Sequence, residues 1–177
     1  MNTKKLEQNI MDTVTEQQLK LGYRFEHVRI YYPLQTLNRL LGVEKNASQM
    51  EDMLSCFCDA IKDKYGPIRI SVKEDRFCFL IPPEGNEYIH SHGTDNGFLE
   101  ELIHTVSHHG CQLEEILSLF HKYSDHVHIE QTKHGEFDYL VYFEDGVPDS
   151  FRYCLSVEEA HIIYHRFTPE DYQDFGL

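Results

Sequence analysis

The chain has 177 residues, 41% of them hydrophobic and 26% charged, with 11 Tyr and 11 Phe, enough to bury a core without disulfides or metals and too apolar for wholesale disorder. Its net charge of −14 is uneven: residues 1–76 carry 12 Lys/Arg against 11 Asp/Glu, whereas residues 77–177 carry 4 against 19 and hold eleven of the twelve histidines. An acidic half disfavours nucleic acid, whose binding needs cations to displace condensed counterions, and suits a basic protein, a metal ion or plain solubility.

Leu6, Ile10, Val14 and Leu21 recur at helical spacing and predict a helix over 3–21, stopped at Gly22. Val28, Ile30 and Tyr32 alternate as a short strand. Pro33 then opens a helix whose apolar face is Leu34, Leu37, Leu40 and Leu41 and whose end is Gly42. Ser48 and Glu51 suit a capping box for the next helix, with Met50, Leu54, Phe57, Ile61 and Tyr65 as its buried stripe. Gly66-Pro67 stops it, and the β-type runs 68–73 and 76–82 form a hairpin around Glu74-Asp75. Residues 83–97 hold one proline directly after Pro82, three glycines and two asparagines without periodicity, the composition of a linker.

Beyond it the order repeats. Leu99, Leu102, Ile103 and Val106 mark one helix and Leu113, Ile116, Leu117 and Phe120 another. A hairpin follows near 126–132 and 136–144, then β-rich runs at 150–155 and 160–167, and Thr168-Pro169-Glu170 opens a short last helix. The hairpins match at an offset of 60, with Lys73, Phe77, Leu80 and Glu84 against Lys133, Phe137, Leu140 and Glu144, which raises a duplicated helix–helix–hairpin unit. The expected fold class is therefore α+β, with helices packed on antiparallel β-hairpins. It divides as 1–82, a linker over 83–97, and an acidic, His-rich unit over 98–177, each half a winged-helix-like α-α-β-β unit, or it forms one compact domain overall.

A winged helix suggests DNA binding by the helix at 48–65. That helix carries Glu51, Asp52, Asp59 and Asp63 against only Lys62 and Lys64, the wrong charge for reading a groove. A DNA-binding regulator would need Arg24, Arg29, Arg39, Lys62, Arg69 and Arg76 to form one basic patch. Protein contact is the better use of such a shape.

Alternate histidines can ligate one divalent metal, and His90-Ser-His92-Gly-Thr-Asp95 is the sharpest such string. It resembles the opening of polymerase-and-histidinol-phosphatase-type metal hydrolases, but that family needs a large barrel and only 85 residues follow His92. His126, His128 and Glu130 share one face of a predicted strand and make a metal half-site, or simply the solvated face of a sheet. If His90, His92, His126, His128 and Glu130 converge, the chain reads as a metal-dependent hydrolase. Glu101, His104 and His108 share an outward helix face, and His161 and His165 bracket Ile163 on one side of a strand. No Gly-x-Gly, P-loop, Gly-x-Ser-x-Gly or His-Glu-x-x-His occurs, so no residue is assigned to catalysis. Cys56, Cys58, Cys78, Cys111 and Cys154 are odd in number and scattered. The polar start, Met1–Val14, lacks the apolar run of a signal peptide, and no run reaches the ~18 apolar residues of a membrane span. Reduced thiols and a cytoplasmic protein off the membrane are expected.

Tyr31-Tyr32-Pro33-Leu34, Leu40-Leu41-Gly42, Glu136-Phe137-Asp138-Tyr139-Leu140-Val141-Tyr142-Phe143 and Tyr164-His165-Arg166-Phe167-Thr168 with Glu170-Asp171-Tyr172 complete the reading. Together these strings resemble a family of small bacterial proteins from Firmicutes, catalogued only as a domain of unknown function. The resemblance spans nearly the whole chain, implies a bacterial cytosolic protein and brings no activity, cofactor or catalytic residue. The leading functional expectation is a non-catalytic binding or regulatory protein whose acidic half meets a basic protein partner. Its oligomeric state is not encoded in any pattern of the sequence.

Overall fold

The computed structural model describes residues 2–93, 96–132 and 137–172. It is an α+β fold whose chain divides into two units, Met1–Thr94 and Asp95–Leu177. In the first unit, Leu6, Ile10 and Val14 are buried along one stripe of α1 (Thr3–Leu21), and the Asn2 side chain caps its start by accepting from the Lys5 N–H. Val28, Ile30 and Tyr32 alternate inward along β1 (Val28–Pro33). Pro33 presets the backbone for α2 (Leu34–Leu41), which ends on Gly42 in the left-handed region at φ 66°.

Helix α3 (Ala47–Tyr65) buries the expected Met50, Leu54, Phe57, Ile61 and Tyr65. Its cap differs from expectation. Asn46, not Ser48, is the N-cap, and its side chain and that of Gln49 satisfy each other's backbone N–H groups. Asn46 lies two residues before Ser48, after the short connection from Gly42, and the buried Met50 lies directly past the box. Strands β2 (Arg69–Lys73) and β3 (Arg76–Ile81) pair across the Glu74-Asp75 turn. β1 adds to the other side of β3, giving an antiparallel sheet of order β1-β3-β2. Its inner face carries Tyr32, Phe77, Phe79 and Ile81 into the core, and the Tyr32 hydroxyl donates to Asn9 on α1 at 2.7 Å.

The segment expected as a linker is instead a helix for most of its length, α4 (Pro83–His92), packed on α1 and α3. Pro83 begins it where no backbone N–H is needed, and Glu84 in the first turn complements the helix dipole. Its two small polar residues are the packing contacts. Gly85 lies against the Tyr65 carbonyl, and the buried Asn86 accepts from the Gln18 amide while donating to the Arg24 and Glu26 carbonyls. Asn86 therefore ties α1, α4 and the turn before β1 together, which composition alone does not signal.

The second unit begins with α5 (Gly97–Val106) and α6 (Leu113–Tyr123). A meander follows: β4 (Val127–Gln131), β5 (Tyr139–Phe143), β6 (Arg152–Val157) and β7 (Ile162–Phe167), paired in that order and all antiparallel. A four-residue helix, α7 (Pro169–Tyr172), ends it. Phe98, Phe120, Phe143 and Tyr153 form an aromatic core between the helix pair and the sheet, mostly edge to face with Phe120 and Phe143 tilted, and ring centroids 4.8–5.7 Å apart. The hairpins do not keep the offset of 60 in register. Lys73 pairs Arg76 across a two-residue turn, whereas Gln131 pairs Tyr139 with residues 132–138 between them. Lys133, which the repeat invoked, lies outside the described residues.

Candidate binding surface

The histidines resolve into separate local settings. His90 and His92 lie on α4, not in a loop. Two residues apart on a helix they diverge, so His90 stacks on Tyr23 at 4.0 Å and His92 on Tyr88 at 4.2 Å. The Asp95 that would complete their metal site lies outside the described residues. His126, His128 and Glu130 belong to the second unit, His126 exposed just before β4 and the other two on it. Among the described residues, no group of three or more His, Cys, Asp or Glu side chains is arranged to hold a metal ion. Glu101 is drawn to α6 by Lys122, whose ammonium lies 2.8 and 2.6 Å from its two carboxylate oxygens. That hydrogen bond holds the Glu101 carboxyl below its ordinary range. His104 and His108 meet edge to face and stay exposed. His161 faces Glu158 at 2.9 Å, and His165 is exposed beside Phe137, so their side of β7 is not core.

The outer face of the second sheet is more than a solvated surface. Cross-strand register places His128, Tyr142 and Arg152 in a row over β4, β5 and β6. His128 stacks on the Tyr142 ring at 4.6 Å, and the Arg152 guanidinium sits 3.5 Å from the same ring. Glu130 and Glu144 flank His128 at 3.4 and 3.9 Å. Further along, Leu140 and Cys154 are buried on this outer face. The Tyr172 side chain on α7 lies near Cys154, Tyr142 and Arg152, and burial raises its phenol. Strict alternation along β5 therefore fails: Leu140 and Val141 are both buried because the sheet is covered on two sides.

Sequence patterns gave no hint of the unit's main buried polar network. Arg166 on β7 meets Asp149 at 2.8 Å with the two side chains 5% and 1% exposed. Asp149 also accepts from the Asn96 amide at 2.8 Å and the Phe151 N–H at 2.9 Å. Arg166 Nε donates to the Tyr153 hydroxyl, and its guanidinium lies over the Phe151 ring. Asn96 is itself the N-cap of α5, accepting from the Leu99 N–H. One carboxylate thus joins the start of α5, the loop before β6 and the end of β7. Every group is paired, which is the arrangement of a structural clamp rather than of a poised catalytic site.

Cationic side chains of this unit are engaged internally. Lys122 holds Glu101, Arg152 lies over Tyr142 and Arg166 is buried with Asp149; Lys133 lies outside the described residues. The unit carries 4 Lys/Arg against 17 Asp/Glu, a net charge of −13. Glu100, Glu114, Glu115, Asp125, Glu130, Glu144, Asp145, Glu158 and Glu159 are exposed. An open groove beside α5 and α6 is lined by Thr105, Glu114, Glu115, Ser118, Leu119 and Lys122.

A family model described as a domain of unknown function from an E. rectale gene description, DUF3877, matches residues 3–176. The chain belongs to the DUF3877 family. That bears out the resemblance read from the sequence. No curated protein matches the chain, and no solved structure does. Among the described residues of this DUF3877 chain, no helix is long and apolar enough to cross a membrane.

All five cysteines are free. Burial pushes the Cys58 thiol up to about 12, with the nearby Asp59 adding to it, and pushes Cys154 up to about 11. Cys56, two residues before Cys58 and so on the opposite side of α3, is exposed. At about pH 8 a thiol reagent is expected to label Cys56 in seconds to minutes and to reach Cys58 and Cys154 only on unfolding. Mass mapping of the labelled peptides over time checks this, and equal labelling of Cys56 and Cys58 in folded protein would contradict it.

Proposed function

We propose that this DUF3877 protein is a non-catalytic binding protein whose acidic second unit docks a basic protein partner. The observation that carries this reading is the excess of 17 Asp/Glu over 4 Lys/Arg in the unit, with many of the carboxylates exposed while, among the described residues, Lys122 and Arg166 are already held by Glu101 and Asp149. A surface so charged steers a basic partner and raises its rate of encounter. The groove sets Glu114 and Glu115 beside Thr105, Ser118 and the edge of the buried Leu119, with Lys122 at its side held by Glu101, and its two carboxylates suit a lysine or arginine of a partner.

The first unit supports the same class. The order α1-β1-α2-α3-β2-β3 with a β1-β3-β2 sheet resembles a winged helix, which supports this class of reading. Its α3 exposes Glu51, Asp52, Asp59 and Asp63, and Lys64 is held by Glu7 at 3.1 Å. This favours protein contact over groove reading by that helix.

Titration with a short oligo-lysine peptide tests the charge argument, beside a Glu114→Lys/Glu115→Lys variant. Affinity is expected to fall at least about tenfold between low and physiological ionic strength, and to fall again in the variant. Binding that ignores both salt and charge reversal would remove the reading.

A further inference from the structure

The outward face of the first sheet has a character opposite to the rest of the protein. Register fixes which residues share it. Arg29 on β1 and Arg69 on β2 both lie directly opposite Leu80 of β3, Tyr31 and Ser71 both lie opposite Cys78, and Pro33 and Lys73 both lie opposite Arg76. Arg29, Arg69, Lys73 and Arg76 are all exposed, and Tyr31 stands 59% exposed between them. Within the strands this face bears four cations and no carboxylate; the turn residues Glu74 and Asp75 lie beyond one end.

Two facts bear on this face. Arg29, Arg69, Lys73 and Arg76, like Arg24, Lys45 and Lys62 elsewhere, form no ion pair among the described residues, so their charges are available to a ligand. Lys73 and Arg76 are also directly opposed across the ladder, where like charges are destabilising. Folding gains nothing from that arrangement, so it points to an anionic ligand. The size of the face selects among anions. Three strands at ~4.8 Å spacing and six residues at ~3.4 Å make a strip about 10 Å by 17 Å, which suits a few nucleotides of one strand and is too narrow for a duplex. Tyr31, flanked by the two pairs of cations, offers a ring on which a base can stack while phosphates meet the arginines and lysine.

We infer that the outer face of the β1-β3-β2 sheet binds a short segment of single-stranded nucleic acid. The acidity that disfavours nucleic acid for the chain as a whole is concentrated in the second unit and on α3, and does not extend onto this face. Up to four phosphate contacts set the strength and the salt response.

The test is fluorescence anisotropy of a labelled short oligo-uridine with the full-length protein. At about 50 mM salt it is expected to bind, and the slope of log affinity against log salt is expected to lie near −2 to −3, or about 16- to 64-fold weakening by about 200 mM. Arg69→Gln/Arg76→Gln is expected to weaken binding by about tenfold or more and to make the slope shallower by about 1.4. Tyr31→Ala is expected to weaken it about 5- to 100-fold, with Tyr31→Phe retaining it because only the ring is needed. Absence of binding at low salt would overturn the inference, as would an Arg69→Gln/Arg76→Gln variant that binds like the parent. So would an oligo-glutamate that competes as well as the oligonucleotide with Tyr31→Ala unchanged, because the face would then serve acidic protein.

Discussion

Asp149→Ala is expected to lower the unfolding midpoint by more than about 10 °C, the largest loss from any single polar side chain in the second unit. Removing one partner of a buried ion pair costs about 3–5 kcal/mol because the other charge is left without compensation. For a unit of this size each kcal/mol moves the midpoint about 4–8 °C. Arg166 would remain with a side chain only 5% exposed, and the Asn96 amide and Phe151 N–H would lose an acceptor. Urea or thermal unfolding followed by near-ultraviolet circular dichroism reads this, since Tyr153 and Phe98 sit in the adjoining core. The double variant Asp149→Ala/Arg166→Met is expected to recover much of the loss, because replacing both partners removes the uncompensated charge. An Asp149→Ala protein that melts within a few degrees of the parent would mean that water reaches Arg166 and that the clamp is not what fixes α5 to β7.

Gly85→Ala separates two opposed effects in one substitution. Intrinsic helix propensity favours alanine over glycine by about 1 kcal/mol within a helix such as α4. Tertiary contact opposes it: a Cβ at Gly85 would lie 2.4 Å from the Tyr65 carbonyl oxygen, 2.9 Å from Ile81 Cγ2 and 3.2 Å from the Tyr65 carbonyl carbon. Two of those atoms are backbone at the end of α3, so no rotamer relieves the overlap. The expected result is a net loss of about 1–3 kcal/mol, the usual cost of overpacking, read as a lower urea midpoint with an unchanged slope. Stabilisation instead would show that α4 shifts away from α3 at little cost.

The two substitutions also mark where local reading ends. Elements whose burial follows one period were legible directly. The i, i+4 stripe of α1, the alternation of β1 and the stripe of α3 each needed only the residues within the element, because one face of each meets the core and the other meets water. The charge asymmetry was legible for the same reason, since it is a sum over residue types. The helix at 83–92 was not. Its Gly85 and Asn86 carry loop composition, and only the Tyr65 carbonyl pressed against one and the Gln18, Arg24 and Glu26 partners of the other make them helical packing residues. Likewise, Leu140 and Val141 are buried together because a second layer covers the sheet, which no period of two can signal.

By itself the sequence determined the α+β class, the order of the long elements, the family and the location of negative charge. Tertiary structure decided which charges meet. It buried Asp149 with Arg166 across 17 residues of chain, separated His90 and His92 onto two tyrosines, and brought Arg29, Arg69, Lys73 and Arg76 onto one sheet face. The physical reason is that periodicity reports how each residue faces its own element's core, whereas sites are built from residues on different elements, whose meeting depends on register, crossing and the packing of the layers between them.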